Sequence, residues 1–217
     1  MTSTLKDHYN QAYIDKLGKE INRHYPAFNT ENFSTLIFDK QWSTKELKER
    51  MKHISTCLHG CLNLPLQGAL PILKKAAPNF GGFEAMFFPD YVERYGAKHW
   101  ALSLPALAYF TQFSSSEFAV RPFILANQKK MMAQMEQWSK HENEHVRRLA
   151  SEGCRPRLPW AISLPPFKQN PSTILPILEN LKRDPSLYVR RSVANNLNDI
   201  SKDNPQITLE FASTWWG

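Results

Sequence analysis

The sequence predicts an all-α chain of short, stacked helices, and three observations carry that prediction. Apolar residues recur at three- and four-residue steps, strand signals are scarce, and a short signature returns in the second half. Leu47, Met51, Ile54 and Leu58 fall on one helical face. Alternating β-branched runs hardly occur, and no Asn-Gly or Asp-Gly pair marks a hairpin. The signature reads Glu117-Phe-Ala-Val120-Arg121, then His145-Val146-Arg147-Arg148, then Tyr188-Val189-Arg190-Arg191, with Val146 and Val189 43 residues apart. A period of about 40–47 residues with two helices per unit is that of HEAT-like or armadillo-type repeats. Such units stack into an array with a concave face, here expected as a right-handed superhelix.

In chain order, helices are expected at 13–25, 29–39, 44–60, 67–76, 84–95, 103–113, 117–125, 127–139, 142–154, 171–182, 185–200 and 205–215. Thr44, three residues before Leu47, is the expected cap of the third helix. Pro26, Pro65, Pro71, Pro78, Pro89, Pro105, Pro122, Pro171 and Pro185 are expected between helices or at their starts, as punctuation. The stretch from Arg155 to Pro171 is proline-rich, carries Arg157 and Trp160, and is longer than helix–helix connections usually are. It reads as a functional loop. The whole chain, 1–217, reads as a single repeat domain: 1–100 holds N-terminal helices and 101–217 the repeats that carry the candidate site.

Composition excludes several classes. The 217 residues are 42% hydrophobic and 12% aromatic, which is not the signature of a disordered chain. No run of 18 apolar residues is present, so no transmembrane helix is expected. The N-terminus lacks an apolar signal core, and Cys57, Cys61 and Cys154 cannot form a disulfide framework. A cytoplasmic, nucleoid-associated location is the expectation. The formal charge of +7 suits an anionic partner without identifying one.

Motifs narrow the chemistry. His141-Glu142-Asn143-Glu144-His145 fits the H-E-x-x-H pattern of zinc proteases, but no histidine follows to complete the three protein ligands of a catalytic zinc. A zinc hydrolase built on His141, Glu142 and His145 stays as an alternative. His53, Cys57 and Cys61 share one stripe that suits a core as well as a metal. No G-x-S-x-G, G-x-G-x-x-G or P-loop occurs, so nucleophilic-serine and nucleotide chemistry have no support. Glu117 near a helix start, Glu152 near a helix end and Asp199 late in a helix have ordinary roles as capping or ion-paired carboxylates. Spacing alone favours those ordinary roles over a place in a site. Arg147, Arg148, Arg155, Arg157, Arg190, Arg191 and Lys202 are either a solvated face or a phosphate-binding surface.

Three blocks carry a resemblance. Ser115-Ser-Glu117-Phe-Ala-Val-Arg-Pro-Phe123 is the first. Val146-Arg-Arg-Leu-Ala-Ser-Glu152-Gly-Cys-Arg-Pro-Arg-Leu-Pro-Trp160-Ala161 is the second. Leu187-Tyr-Val-Arg-Arg-Ser-Val-Ala-Asn-Asn-Leu-Asn-Asp199-Ile200-Ser-Lys202 is the third. Together they resemble the AlkC branch of the bacterial HEAT-like-repeat DNA alkylation repair glycosylases, related to AlkD. Leu47-Lys-Glu-Arg-Met51-Lys-His53-Ile54 and Gly81-Gly-Phe-Glu-Ala-Met86 extend the resemblance into the first half. It implies a monofunctional glycosylase that removes cationic alkylated bases, such as 3-methyladenine, from double-stranded DNA in base excision repair. It implies no metal, no organic or nucleotide cofactor, no membrane partner and a monomer. The family residues matching Glu117, Glu152, Trp160 and Asp199 surround the lesion nucleotide. Arg148, Arg155, Arg157, Arg190, Arg191 and Lys202 are then expected on DNA phosphates.

On that resemblance Asp199 is expected to stabilise the sugar cation and place water, with Glu117 assisting, Glu152 ordering the site and Trp160 attracting the cationic lesion. After Ile200, 17 residues remain and end in Trp215-Trp216-Gly217. The expectation is a repeat array incomplete at its C-terminus, or one whose Trp215 and Trp216 meet a partner. The alternative within this reading is a non-catalytic DNA-binding repeat protein.

Overall fold

The computed structural model describes residues 4–215. Trp216, singled out with Trp215 above, lies outside the described residues. Among the described residues every regular element is helical, and no helix is long and apolar enough to cross a membrane. The chain divides into two compact units, Met1–Ser115 and Ser116–Gly217.

The first unit holds α1 (Gln11–His24), α2 (Thr30–Ile37), α3 (Leu47–Leu62), α4 (Leu66–Ala76), α5 (Phe87–Gly96) and α6 (Trp100–Phe110). Asn10 and Asn29 start α1 and α2, their side chains accepting the Tyr13 and Asn32 N–H groups that the first turn leaves open. α1 packs on α2 and α4, α3 lies against α2 and α5, and α6 covers α5 and α4. Ile14, Leu17, Ile21, Phe33, Ile54 and Leu58 are fully buried there. Each is worth about 1.5–3 kcal/mol of burial.

The second unit holds α7 (Arg121–Ala126), α8 (Gln128–Trp138), α9 (Glu144–Glu152), α10 (Pro165–Gln169), α11 (Leu175–Leu181), α12 (Leu187–Ser201) and α13 (Pro205–Ser213). α8 joins α7 to α9, α9 packs on α11 and α12, and α13 lies on α12. Asn127 and Asn143 cap α8 and α9 through Lys130 and His145 N–H. Val120, Val146 and Val189, the shared residue of the repeat, are each fully buried.

The repeat is also one of hydrogen bonding. Arg147 donates to the carbonyls of His141 and Glu142, and Arg190 donates to those of Asp184 and Pro185. Each arginine reaches back six and five residues to tie the turn before its own helix. Arg147 also grips the Asp184 carboxylate with Nε and Nη2, at 2.6 and 3.1 Å. One repeat is thus clamped to the next.

Three local expectations need correction. Thr44 does not cap α3; it lies in a 3-10 turn and its hydroxyl donates to the Gln41 carbonyl. Glu46 starts the helix in a reciprocal box with Glu49, which satisfies two open donors at once. Pro71 and Pro105 lie inside α4 and α6 rather than between helices. The carbonyls four residues back, which proline cannot bond, belong to the exposed residues Gln67 and Ala101. The proline-rich loop is shorter than expected because α10 forms inside it, with Pro165 and Pro166 in its first turn and Phe167 buried.

Candidate active site

The site is built in the second unit from the end of α9, the loop after it, and one face of α12. Glu152 is the last residue of α9. Gly153 follows, and it has to be glycine: a Cβ there would lie 2.7 Å from Val120 Cγ2 and 2.9 Å from the Leu149 carbonyl oxygen. The backbone then runs through Arg155, Pro156 and Arg157 to Trp160, which sits at φ +62°. That left-handed conformation is strained for a bulky residue and persists only where surrounding bonds enforce it. The bonds are Ala161 N–H to Leu158 O, Leu164 N–H to Pro156 O, and Arg121 Nε to Ile162 O at 2.6 Å. Trp160 itself stays 63% exposed.

Six charged groups alternate in sign through this region: Glu117, Arg148, Glu152, Arg155, Asp199 and Lys202. Arg148 Nη1 donates to Glu117 Oε2 at 2.8 Å, and its Nη2 lies 3.5 Å from Glu152 Oε1. Arg155 bridges Glu152 Oε1 at 2.7 Å and Asp199 Oδ2 at 2.9 Å. Lys202 Nζ stands 3.4 Å from Asp199 Oδ1. Glu152, Arg155 and Asp199 are buried, at 4%, 9% and 1% exposure. Single buried charges would be prohibitive; the alternation is what makes the group tolerable. Burial works against the charges on Arg148 and Arg155, yet the neighbouring carboxylates more than offset it and raise both pKa values.

Asp199 is asymmetric. Its Oδ2 is held by the Arg155 guanidinium, whereas Oδ1 meets a lysine whose side chain is half exposed. Oδ1 is therefore the oxygen that faces the less buried of its two cations. Glu152 has a hydrogen-bond donor on each oxygen: Ser192 Oγ donates to its Oε2 at 2.6 Å, while Oε1 takes Arg155. Such an Asp can act on a bound molecule, and such a Glu can orient the arginines around it.

Of the residues singled out from sequence, the structure links Glu117, Arg148, Glu152, Arg155, Asp199 and Lys202 in one network. Trp160 is borne on the loop that starts from it. Arg157 pairs with Asp203 through two bonds and keeps a partly exposed side chain. Arg190 ties its own turn. Arg191 is exposed on α12. Trp215 is half-buried: its indole N–H donates to Glu179 Oε2 and Lys182 Nζ lies 5.7 Å from its ring centroid.

Four further residues belong here. Tyr188 carries the Arg148 guanidinium on its ring face, 4.6 Å from the centroid. Ser192 holds Glu152. Asn196 Nδ2 donates to the Ser151 carbonyl at 2.7 Å. Arg121 ties the loop. One signal for them was in the sequence: Ser192, Asn196 and Asp199 form a polar stripe at helical spacing beside Val189, Val193 and Ile200. A polar stripe inside a buried face implies polar partners on the helix opposite.

The zinc-protease pattern is not one helical face. α9 begins at Glu144, so His141 lies before the helix, where its Nδ1 accepts the Asn143 N–H. His53 Nε2 bonds the Leu36 and Ile37 carbonyls. Among the described residues no group of three or more His, Cys, Asp or Glu side chains is placed to hold a metal ion.

Comparison with known proteins fits this geometry. Residues 109–214 match the DNA alkylation repair enzyme family. The uncharacterized protein YhaZ of Bacillus subtilis (strain 168) is 52% identical over 213 residues, 98% of this chain and 60% of that protein. The Pseudomonas fluorescens alkylpurine DNA glycosylase AlkC, solved bound to DNA containing an abasic site analog, aligns with a TM-score of 0.96 and 40% identity. That alignment covers 99% of this chain and 60% of the other. The chain thus spans about 60% of the length of both relatives. By these matches residues 109–214 are similar to the DNA alkylation repair enzyme family, and the chain is similar to AlkC along nearly its whole length.

Proposed function

We propose that the chain is a monofunctional DNA glycosylase that hydrolyses the N-glycosidic bond of cationic alkylated bases, of the 3-methyladenine type, in double-stranded DNA. The observation that carries this reading is the buried carboxylate of Asp199, held on Oδ2 by Arg155 beside Glu152, with Oδ1 toward the half-exposed Lys202. The relationship to AlkC supports it.

Alkylation at N3 or N7 leaves the base positively charged, so it departs neutral and takes the electrons of the glycosidic bond with it. The sugar is left with oxocarbenium character, as in glycoside hydrolysis generally. A fixed carboxylate beside that sugar stabilises the cation without reorganising during the reaction. We assign this to Asp199 Oδ1, which also takes the proton of the water whose oxygen bonds to C1′. Glu117 assists from the other end of the network. Glu152 orders Arg148 and Arg155. Trp160 offers an aromatic face to the cationic lesion, an attraction of about 0.5–2 kcal/mol.

Arg157, Arg190, Arg191 and Lys202 are assigned to phosphates, which position DNA without reading its sequence. Arg148 and Arg155 act on the carboxylates first and reach phosphates through what remains of their donors. Residues 101–217 would carry the whole interface, as a monomer, in the cytoplasm at the nucleoid. The second reading, DNA binding without turnover, has one observation in its favour: each of the three carboxylates already bonds an arginine.

Base release separates the two. Methylated duplex DNA is incubated with the purified chain and freed bases are identified by chromatography, with Asp199→Asn as control. Release of 3-methyladenine that the variant abolishes is the expected result. Salt-sensitive binding with no release would establish the second reading instead.

A further inference from the structure

We infer that Arg121 is a positioning residue for the reaction proposed above, holding the segment 153–162 so that Trp160 faces the lesion and Arg155 keeps its bonds to Glu152 and Asp199. The inference rests on the glycosylase reading for its catalytic part and on geometry for the rest. Arg121 is fully buried on α7. Its Nη1 donates to the carbonyls of Gly153 and Arg155, at 3.1 and 2.8 Å, and its Nε donates to that of Ile162. Two of those carbonyls stand where the segment begins and the third where it ends. One guanidinium therefore closes the loop across its base.

Position in the repeat makes this unusual. Arg121 follows Val120 as Arg147 follows Val146 and Arg190 follows Val189. Arg147 and Arg190 tie the turn directly before their own helices. Arg147 also reaches 37 residues ahead, to the Asp184 carboxylate; Arg121 reaches 32 to 41 residues ahead, onto backbone carbonyls of the loop that bears the site. The arginine with a housekeeping role in the other two units is redirected here to the functional loop.

The chemistry of the grip suits the role. A planar fork meets three carbonyls at fixed angles, which an ammonium on a flexible stem does not do. Burial lowers the Arg121 pKa to about 10, so the side chain remains a cation at neutral pH. Gly153 is the matching half: without a Cβ it lets the start of the segment lie against Val120, within reach of Nη1. The strained Trp160 backbone depends on the far end of the same grip.

The test uses Arg121→Lys, which keeps the charge and loses the fork, and Gly153→Ala, which moves the backbone from the other side. Amide hydrogen exchange is read across the chain, single-turnover base release is measured, and affinity is taken with abasic-site duplex DNA. In both variants, exchange over 154–164 should rise about tenfold or more, while α8 and α12 keep their protection. The single-turnover rate should fall about 10²-fold, the scale of a small misplacement at a reacting centre, with affinity changed less than about threefold. Unchanged exchange over 154–164 in both variants would overturn the inference, as would equal loosening of α8 and α12, which marks a general structural role. If the unaltered protein releases no base, the glycosylase reading fails by itself. Selective loosening of 154–164 would then still assign the clamp, and its absence would reject it.

Discussion

Asp199 meets two cations through different oxygens, and that asymmetry sets what a one-atom change does. Asparagine keeps the shape and one carbonyl oxygen for Arg155 but removes the charge that the proposed reaction uses. Asp199→Asn is therefore expected to lower single-turnover base release by about 10²–10³-fold, the usual effect of removing one preorganised stabilising group. Binding to abasic-site DNA should be largely kept. Ser192 is buried behind the network, bonded to Ser151 and Glu152. Ser192→Ala leaves Glu152 Oε2 without its 2.6 Å donor, and urea unfolding should show a loss of about 1–3 kcal/mol, because a buried charged acceptor is left short. A loss below the measurement error would mean that Glu152 finds another donor.

At the level of the element, α5 carries the clearest pH dependence. Burial first, then the neighbouring Asp90 charge, push the Glu93 carboxyl up to about 7, against the pull of Lys52, Lys48 and Arg94. Asp90 is raised in the same direction by its own burial. An unfolded glutamate titrates near about 4.3, so between about 4.3 and 7 the folded chain binds more protons than the unfolded one. Stability of the first unit should therefore fall as pH rises through that window. Glu93→Gln should raise the melting temperature at pH 8 and leave it little changed at pH 4. An equal gain at both pH values would reject the assignment.

For the whole molecule the question is where the proposed DNA affinity would reside. The chain carries +7, but several of its arginines are already engaged inside the second unit. Arg191 is exposed on α12, whereas Arg148 is bound to Glu117 and Glu152. Arg191→Ala should flatten the salt dependence of DNA binding by about 0.9 in the log–log slope, the share of a single neutralised phosphate. Arg148→Ala should cost base release far more than slope. The reverse pattern would exchange the roles of the two residues.

The sequence by itself determined the helices and the repeat, because both are local. A 3.6-residue period shows which face is apolar, and Val146 and Val189 mark corresponding places 43 residues apart. It also singled out Glu117, Glu152, Trp160 and Asp199 through a resemblance, and their residue types make sense of the chemistry. Caps were less legible, since Thr44 and Glu46 both suit a helix start and only the reciprocal bonds of Glu46 with Glu49 separate them. What the tertiary structure alone decided is which charge answers which. Arg155 reaches Asp199 across 44 residues, Ser192 reaches Glu152 across 40, and Arg121 reaches Ile162 across 41. Seven arginines and lysines that read alike as a basic cluster separate into turn ties, carboxylate partners and exposed charges. Ion pairs have no sequence period. Their partners are set by which helices pack and how deeply each side chain is buried, and those are properties of the packed units rather than of any one segment.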